Sequence, residues 1–164
     1  MNEKVGTALT RERAEVFLYR EAQFADEHRF DEWLALWDAA DVTYWIPANR
    51  DVTDPSQHVS IVYENRAQLE ERLTRLKSRG VHAQQPRSRM RRVVSNVMIA
   101  SDDGAFAQVE ANFILQEVRR SVATTYGGRI VYRLQYDAHD IRMVSKTVLL
   151  VNNGEYLSNL TFLL

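Results

Sequence analysis

The residues best suited to acid–base or metal chemistry in this sequence are four histidines, and they lie far apart. They are His28, His58, His82 and His139. No two of them are separated by two to five residues, the spacing that brings two imidazoles onto one metal ion within a single helix or strand. A site of two histidines and one carboxylate could still assemble from distant segments. The spacing therefore predicts no local metal site.

A buried acid–base pocket is the second chemistry that these residue types allow. Tyrosine, aspartate and histidine act as general acids and bases when burial and neighbouring charges bring their pKa values near the working pH. The candidates by type are Tyr44, His58, His82, Asp137 and His139. Nothing in their spacing brings them together, so most are expected at the surface. A stand-alone isomerase or dehydratase stays open as an alternative, as does a small-ligand-binding protein.

Several other classes of site are excluded by what the sequence lacks. There is no GxGxxG, Walker A or GxSxG motif, and Gly127-Gly128 lies in a strand-like stretch where paired glycines indicate a bulge or a close backbone approach. There is no cysteine. A disulfide framework, a thiolate-bound iron–sulfur cluster and a cysteine nucleophile are thereby excluded.

The arginine-rich stretch 87–92 (RSRMRR) is the most distinctive charged feature. On a strand, alternation puts Arg87, Arg89 and Arg91 on one face and the three residues between and after them on the other. Aromatic platforms are missing nearby and the net charge is −1, so nucleic acid is not the expected partner. The arginines repel one another unless carboxylates meet them, supplied by Glu110, by Glu117 or by a partner chain. A salt-bridged sheet surface and a subunit interface both remain open.

Hydrophobic spacing predicts helices in the first half of the chain. Thr10 is the predicted N-cap of a first helix, Asp31 caps a short second helix, and a third covers about 62–79 and ends at Gly80. The apolar stripe of the first helix is Ala14, Phe17, Leu18, Ala22 and Ala25, and that of the third is Leu69, Leu73 and Leu76. Residues 42–46, closed by Pro47, predict a strand, and 48–60 predict a loop.

The second half of the chain predicts strands. They are expected at about 88–100, 105–119, 124–137, 141–151 and 156–163, separated by turn-forming segments such as Asp102-Asp103-Gly104 and Asn152-Asn153-Gly154. Helices followed by hairpin-linked strands indicate an α+β fold with an antiparallel sheet and helices on one face. We expect one domain, residues 1–164, with 1–10 as a loose N-terminal segment.

Composition indicates an ordinary globular protein, with 45% hydrophobic and 26% charged residues. No apolar run approaches the ~20 residues that span a bilayer, and no signal peptide is recognisable, so a cytoplasmic location is expected. Eighteen arginines stand against three lysines. That bias is typical of protein–protein interfaces, and a GC-rich genome would produce it equally well.

Seven segments together resemble the small (beta) subunit of aromatic-ring-hydroxylating dioxygenases. They are 17–22 (FLYREA), 33–36 (WLAL), 41–48 (DVTYWIPA), 72–76 (RLTRL), 86–97 (PRSRMRRVVSNV), 146–150 (KTVLL) and 159–164 (NLTFLL). The most specific piece is Ser-Arg-x-Arg-Arg-x-x-Ser-Asn at 88–96. The first segments are most similar to the subunits of benzoate-type enzymes, which act on aromatic carboxylates.

The resemblance implies a cystatin-like α+β cone, the fold of nuclear-transport-factor-like proteins and ketosteroid isomerase. It also implies a structural, non-catalytic subunit with no cofactor of its own. The partner would be a large (alpha) subunit carrying a Rieske iron–sulfur cluster and a mononuclear iron, and three copies of each would form a mixed hexamer. Under this interpretation the expected interface residues are Arg87, Arg89, Arg91, Arg92, Ser95 and Asn96.

Overall fold

The computed structural model describes residues 8–48, 54–78, 86–152 and 160–164. The helices are α1 (Arg11–Asp26), α2 (Phe30–Ala35) and α3 (Arg66–Lys77). The strands are β1 (Thr43–Pro47), β2 (Ser60–Glu64), β3 (Arg89–Asp102), β4 (Phe106–Arg119), β5 (Val122–Tyr136) and β6 (Ile141–Leu150). The helices precede the long strands, as the sequence predicts.

All six strands form one sheet in the order β2-β1-β6-β5-β4-β3. Only β1 and β6 pair in parallel, and every other neighbouring pair is antiparallel. Along β4 buried and exposed residues alternate, so one face, called the inner face, packs on the helices while the outer face meets solvent. The α+β prediction with helices on a mostly antiparallel sheet is confirmed.

Helix α1 begins where its capping residue predicts. The hydroxyl of Thr10 accepts a hydrogen bond from Arg13 N at 3.2 Å, which satisfies one of the free N–H groups of the first turn. The five predicted apolar residues of the stripe are all buried. Leu9 is also buried, and its N–H donates to Asp102 Oδ2 at 3.2 Å. Leu9 therefore packs on the fold while Ala8 and Thr10 are exposed, and residues 1–7 of the predicted N-terminal segment lie outside the described part.

Strand β2 and the start of α3 differ from the prediction. The sequence predicts a loop up to residue 60 and a helix from about residue 62, whereas residues 60–64 pair with β1 as an edge strand. Helix α3 begins four residues later than expected, because Asn65 and Gln68 form a capping box. Leu69 and Leu73 are buried as predicted. The end predicted at Gly80 lies outside the described residues.

Two further boundaries are corrected. Asp31 lies inside the first turn of α2 instead of capping it, and the N-cap position is held by Arg29. The strand predicted at 156–163 is not found where the chain is described, since residues 160–164 make no strand pairing. Part of that prediction, and the Asn153-Gly154 part of the preceding turn, fall outside the described residues.

The ends of the four long predicted strands, β3, β4, β5 and β6, are confirmed to within about two residues. In β3 a register shift between Ser95 and Met98 also changes which residues face the core. Gly104 adopts φ +88 in the predicted turn between β3 and β4. Arg120 and Ser121, with φ of 49 and 64, make the two-residue turn between β4 and β5. Two left-handed residues in succession match the twist of the flanking strands.

Gly128 confirms the predicted close backbone approach. A Cβ built at this position would lie 2.1 Å from the carbonyl oxygen of Leu149 on the neighbouring strand. At Gly127 the nearest atom, the carbonyl oxygen of Phe113, is 3.5 Å from such a Cβ. Only the second glycine of the pair is therefore required by the packing of β5 against β6. None of the helices in the described ranges is long and apolar enough to cross a membrane.

Candidate functional site

The inner face of the sheet carries a buried ion pair that spacing alone did not predict. Lys146 on β6 lies with its Nζ 2.7 Å from Glu21 Oε1 on α1, and both side chains are at most 1% exposed. Glu21 also accepts hydrogen bonds from Trp33 Nε1 at 2.6 Å and from the hydroxyl of Tyr132 at 3.3 Å. The carboxylate thus has three donors, which offsets much of the cost of burying its charge.

Three aromatic rings surround the ammonium group of Lys146. Their centroids lie 6.0 Å (Trp33), 5.9 Å (Tyr44) and 5.8 Å (Tyr132) from Nζ. At such distances the negative ring faces attract a cation, more strongly where water is excluded. Trp33, Tyr44 and Trp37 also pack edge-to-face with one another at 5.4–6.1 Å. The aromatic cluster between α2 and β1 is therefore core packing that also holds a charge.

A second buried ion pair lies beside the first. Arg92 Nε is 2.7 Å from Asp26 Oδ1, and the main-chain N–H of Arg92 donates to Oδ2 of the same carboxylate at 2.8 Å. Its Nη2 donates to the carbonyl oxygen of Leu163 at 2.8 Å. Both pairs link α1 to strands that lie far along the chain. This geometry fixes where α1 lies on the sheet.

The segment 160–164 fills the space beside these ion pairs. Phe162, Leu163 and Leu164 are buried, and the ring of Phe162 packs edge-to-face on Tyr126 at 5.4 Å. The carbonyl oxygen of Leu164 accepts from Lys146 Nζ at 2.5 Å and from the Tyr44 hydroxyl at 3.1 Å. Side chains of the inner face therefore hold this segment by hydrogen bonds and ring packing.

The phenols and the carboxylate of this cluster have pKa values shifted away from neutral pH, while burial lowers the pKa of the Lys146 ammonium from its ordinary value. Burial raises the pKa of Tyr44 to about 12 and that of Tyr132 well above 10, so both phenols stay protonated at neutral pH. Burial acts to raise the pKa of Glu21, but Lys146 and Arg92 outweigh it and hold that pKa below its ordinary value. None of the cavities described is lined by Glu21, Lys146 or Tyr44.

The acid–base candidates from the sequence do not converge. Tyr44 alone joins the buried cluster. His58 is exposed in the segment before β2, and Asp137 and His139 lie in the exposed turn between β5 and β6. His82 lies outside the described residues. Sequence reasoning missed Glu21 and Lys146. The position of Glu21 within the apolar stripe of α1 was the one available signal.

Arg89 and Arg91 lie on the outer face of β3 as alternation predicts, and both are exposed. Arg89 pairs across the sheet with Val118 and Arg91 with Gln116. Neither expected carboxylate reaches them. Glu117 is buried and accepts from Ser88 Oγ at 2.5 Å, while Glu110 is paired with Arg129. Within the described ranges, Arg89 and Arg91 have no salt-bridge partner.

The remaining interface candidates fall in two groups. Arg87, Ser95 and Asn96 are exposed, and Asn96 has φ 54 at a β-bulge that shifts the register between Ser95 and Met98. Because the extra residue changes the phase of the strand, Val97 is buried where strict alternation would expose it. Arg92 corrects the prediction: its side chain is 1% exposed and bound to Asp26, so it does not lie on the surface.

No group of three histidine, aspartate or glutamate side chains converges as a metal site in the part of the chain that the structure describes. The residues present in that part therefore do not offer a ligand set for an iron centre.

Comparison with known proteins gives consistent matches. The family model described as ring hydroxylating beta subunit matches residues 20–154. The chain is 32% identical over 140 residues to the small oxygenase component of the p-cumate 2,3-dioxygenase system of Pseudomonas putida, covering 84% of this chain and 77% of that one. It is 31% identical over 147 residues to benzoate 1,2-dioxygenase subunit beta of Acinetobacter baylyi, covering 87% and 86%.

Solved structures of ring-hydroxylating dioxygenase beta subunits superpose on this chain as well. The beta subunit of benzoate 1,2-dioxygenase from Burkholderia mallei superposes with a TM-score of 0.79 at 28% identity, covering 96% of this chain and 99% of that one. A scytalone dehydratase-like structure from Novosphingobium aromaticivorans superposes with a TM-score of 0.62 at 12% identity, covering 84% and 81%. The second likeness shows a shared fold alone.

Proposed function

This chain belongs to the family of ring-hydroxylating dioxygenase beta subunits, and on that premise we propose that it is a structural, non-catalytic subunit. It supplies a rigid body on which the large, iron-bearing subunit assembles. The observation that supports this role is the filled inner face. The groups that could have formed an acid–base site, Lys146, Glu21 and Tyr44, are bound to one another, to aromatic rings and to the main chain of Leu164.

We propose aromatic carboxylates as the substrates of the assembled enzyme. The relatives reported above are subunits of enzymes named for p-cumate and benzoate, and others are named for toluate and anthranilate. All of these compounds are single aromatic rings bearing a carboxylate. The benzoate-type branch predicted from the first segments of the sequence agrees with these names.

The redox chemistry is proposed to lie in the large subunit. A Rieske cluster needs cysteine thiolates as well as histidines, and this sequence contains no cysteine. A Rieske iron–sulfur cluster and a mononuclear iron are therefore proposed for the partner chain. We expect the complex to work in the cytoplasm. This chain contributes shape and contact surface to that complex.

The outer face around β3 and β4 is the proposed contact surface. Arg89 and Arg91 have no carboxylate partner in the described part of the chain. Beside them Val93 and its cross-strand partner Ile114 are 66% and 62% exposed. Unpaired guanidinium groups around a small apolar centre are typical of protein interfaces. We propose that neighbouring subunits cover this face in a complex of three small and three large subunits.

Co-expression with the large subunit tests this function. The two chains should co-purify in equal amounts at the mass of a hexamer, with all of the iron retained by the large subunit. The small chain purified alone should contain no stoichiometric iron and should not oxidise benzoate. Iron bound to the isolated small chain, or separate elution of the two chains, would overturn the proposal.

A further inference from the structure

A cavity of about 330 Å³ lies between α1, the end of α2 and the β5–β6 turn, away from the buried ion pairs. Arg13, Val16, Phe17 and Arg20 line it from α1. Their spacing of three, four and seven residues places them along one stripe of the helix. At 1.5 Å of rise per residue, the two arginine backbones lie about 10 Å apart. This wall therefore carries a guanidinium group at each end and apolar side chains between them.

The opposite wall is partly apolar and partly polar. Two half-buried residues line it here: Leu36, the C-cap residue of α2, and Ile141, the first residue of β6. They face the same cavity as Phe17, which is buried. His139 and Asp140 of the turn complete the lining on this side. An apolar floor with polar groups at the rim is the usual construction of a small-molecule site.

Hydrogen bonds hold these walls together in advance of any ligand. Arg13 Nη2 donates to the carbonyl oxygen of Asp137 at 2.7 Å, which ties α1 to the turn. Met143 N donates to the carbonyl oxygen of Leu36 at 2.8 Å, which ties β6 to the end of α2. Within the turn, Asp137 Oδ1 accepts from His139 N at 2.7 Å. Preformed walls lower the ordering cost of binding.

Arg20 is the group at the cavity that is placed to bind an anion. Arg13 and Arg20 have no salt-bridge partner among the described residues, and Arg20 has no hydrogen bond there either. The acidic groups in the lining are Glu12 and Asp140. Asp140 is already paired with Arg142, 2.7 Å away. Arg13 lies close enough to the Asp137 carboxylate to lower its pKa, so Arg20 is the lining guanidinium with neither a salt bridge nor a hydrogen bond among the described residues.

We propose that this cavity binds an aromatic monocarboxylate, with the ring on the apolar floor of Phe17, Leu36 and Ile141 and the carboxylate on Arg20. Guanidinium and carboxylate groups form paired hydrogen bonds in one plane, and a flat ring fills the strip between the two arginines. The choice of an aromatic acid rests on the substrate class proposed above. Such a site would let the small subunit sense the acid that the complex consumes.

Benzoate titrated into the full-length chain tests the site, with binding followed by calorimetry or ligand-observed NMR. Benzamide, which keeps the ring and loses the charge, and acetate, which keeps the charge and loses the ring, should both bind about tenfold more weakly. Arg20→Leu should weaken benzoate binding by about tenfold. Arg75→Leu, which removes another exposed arginine from the surface of α3, is the matched control and should leave binding within about twofold.

Two results would overturn the proposal. The first is no saturable benzoate binding up to about 20 mM, or equal binding by wild type and Arg20→Leu. The second is that Arg20→Leu no longer changes benzoate binding once the large subunit is present, which would assign the cavity to a subunit contact. Neither result affects co-purification of the two chains, so failure of this site is distinguishable from failure of the proposed function.

Discussion

Lys146 and Glu21 lie 125 positions apart in the sequence and meet at 2.7 Å, in a part of the core that solvent does not reach. The pair connects α1 to β6, which lies near the centre of the sheet. Removing one member of a buried pair leaves the other charge without a partner, which costs far more than losing a surface salt bridge. The stability of the fold should therefore depend strongly on both residues being present or both being replaced.

Lys146→Met should lower the free energy of unfolding by about 3–5 kcal/mol, because Glu21 keeps its buried charge and loses its cation. Glu21→Gln/Lys146→Met should lose less than Lys146→Met alone, since no charge then remains. Urea denaturation followed by circular dichroism measures both. Lys77→Met, which breaks an exposed pair with Asp31, is the control and should cost at most about 1 kcal/mol. If the loss of unfolding free energy in the double variant equals the sum of the losses in Lys146→Met and Glu21→Gln measured singly, this account is contradicted.

The stability should also depend on pH through Glu21. Burial raises the pKa of Glu21, but Lys146 and Arg92 outweigh burial, so the folded-state pKa lies below the ordinary value of 4.5. The unfolded chain then takes up this proton first as the pH falls. The stabilisation is complete above about pH 4.5 and is lost as the pH falls through the folded-state pKa.

Urea midpoints between about pH 6 and about pH 3 measure that loss. Glu21→Gln should reduce the slope of unfolding free energy against pH in the acidic part of the range. Glu71→Gln, on the exposed face of α3, controls for the loss of a carboxyl group in general. An unchanged slope in Glu21→Gln would show that other groups govern acid unfolding.

Gly128→Ala should destabilise the protein by at least about 2 kcal/mol, because the new methyl group would overlap the carbonyl group of Leu149 on β6. Gly127→Ala is the matched control, one residue away on the same strand. Its Cβ meets nothing closer than 3.5 Å, so it should change stability by less than about 1 kcal/mol. Thermal unfolding of the two variants separates them, and equal melting temperatures would contradict the close approach.

Charge reversal on the outer face tests the proposed contact surface. Arg89→Glu/Arg91→Glu should weaken assembly with the large subunit by at least about tenfold, since like charges are costly at an interface. The unfolding free energy of the isolated chain should change by less than about 1 kcal/mol, because both side chains are exposed. Size-exclusion chromatography with the large subunit gives the result. Arg75→Glu on α3 serves as control, and an unchanged elution profile would remove these arginines from the interface.

The sequence predicted the elements that periodicity and local chemistry define. Thr10 marked the start of α1 because a hydroxyl can satisfy a free N–H group of the first turn. The four long strands followed from period-two alternation. The bulge at Asn96 was not predictable in this way. Alternation continues across a bulge with a change of phase, and only strand pairing shows where that change occurs.

The elements that tertiary contacts define were missed. Strand β2 is a short edge strand within a polar stretch, and it is specified by pairing with β1 rather than by its own residues. The buried cluster was missed for a related reason. A glutamate on a helix and a lysine on a strand are usually solvated, and only the fold brings Glu21 to Lys146. Tyr44 was selected for its chemical type, yet its partner is the main chain of Leu164.

The long sequence separation of the two buried ion pairs has a consequence for synthesis on the ribosome. Helix α1 emerges first, but Asp26 meets Arg92 only 66 residues later, and Glu21 meets Lys146 only after 125. Contacts so distant in sequence form late, after the intervening chain has been made and closed into loops. The nascent chain therefore exposes the Asp26 carboxylate to water until β3 has left the exit tunnel, and the Glu21 carboxylate until β6 has followed. Solvated carboxylates on that face keep the unfinished helix soluble while its apolar stripe has no sheet to cover it.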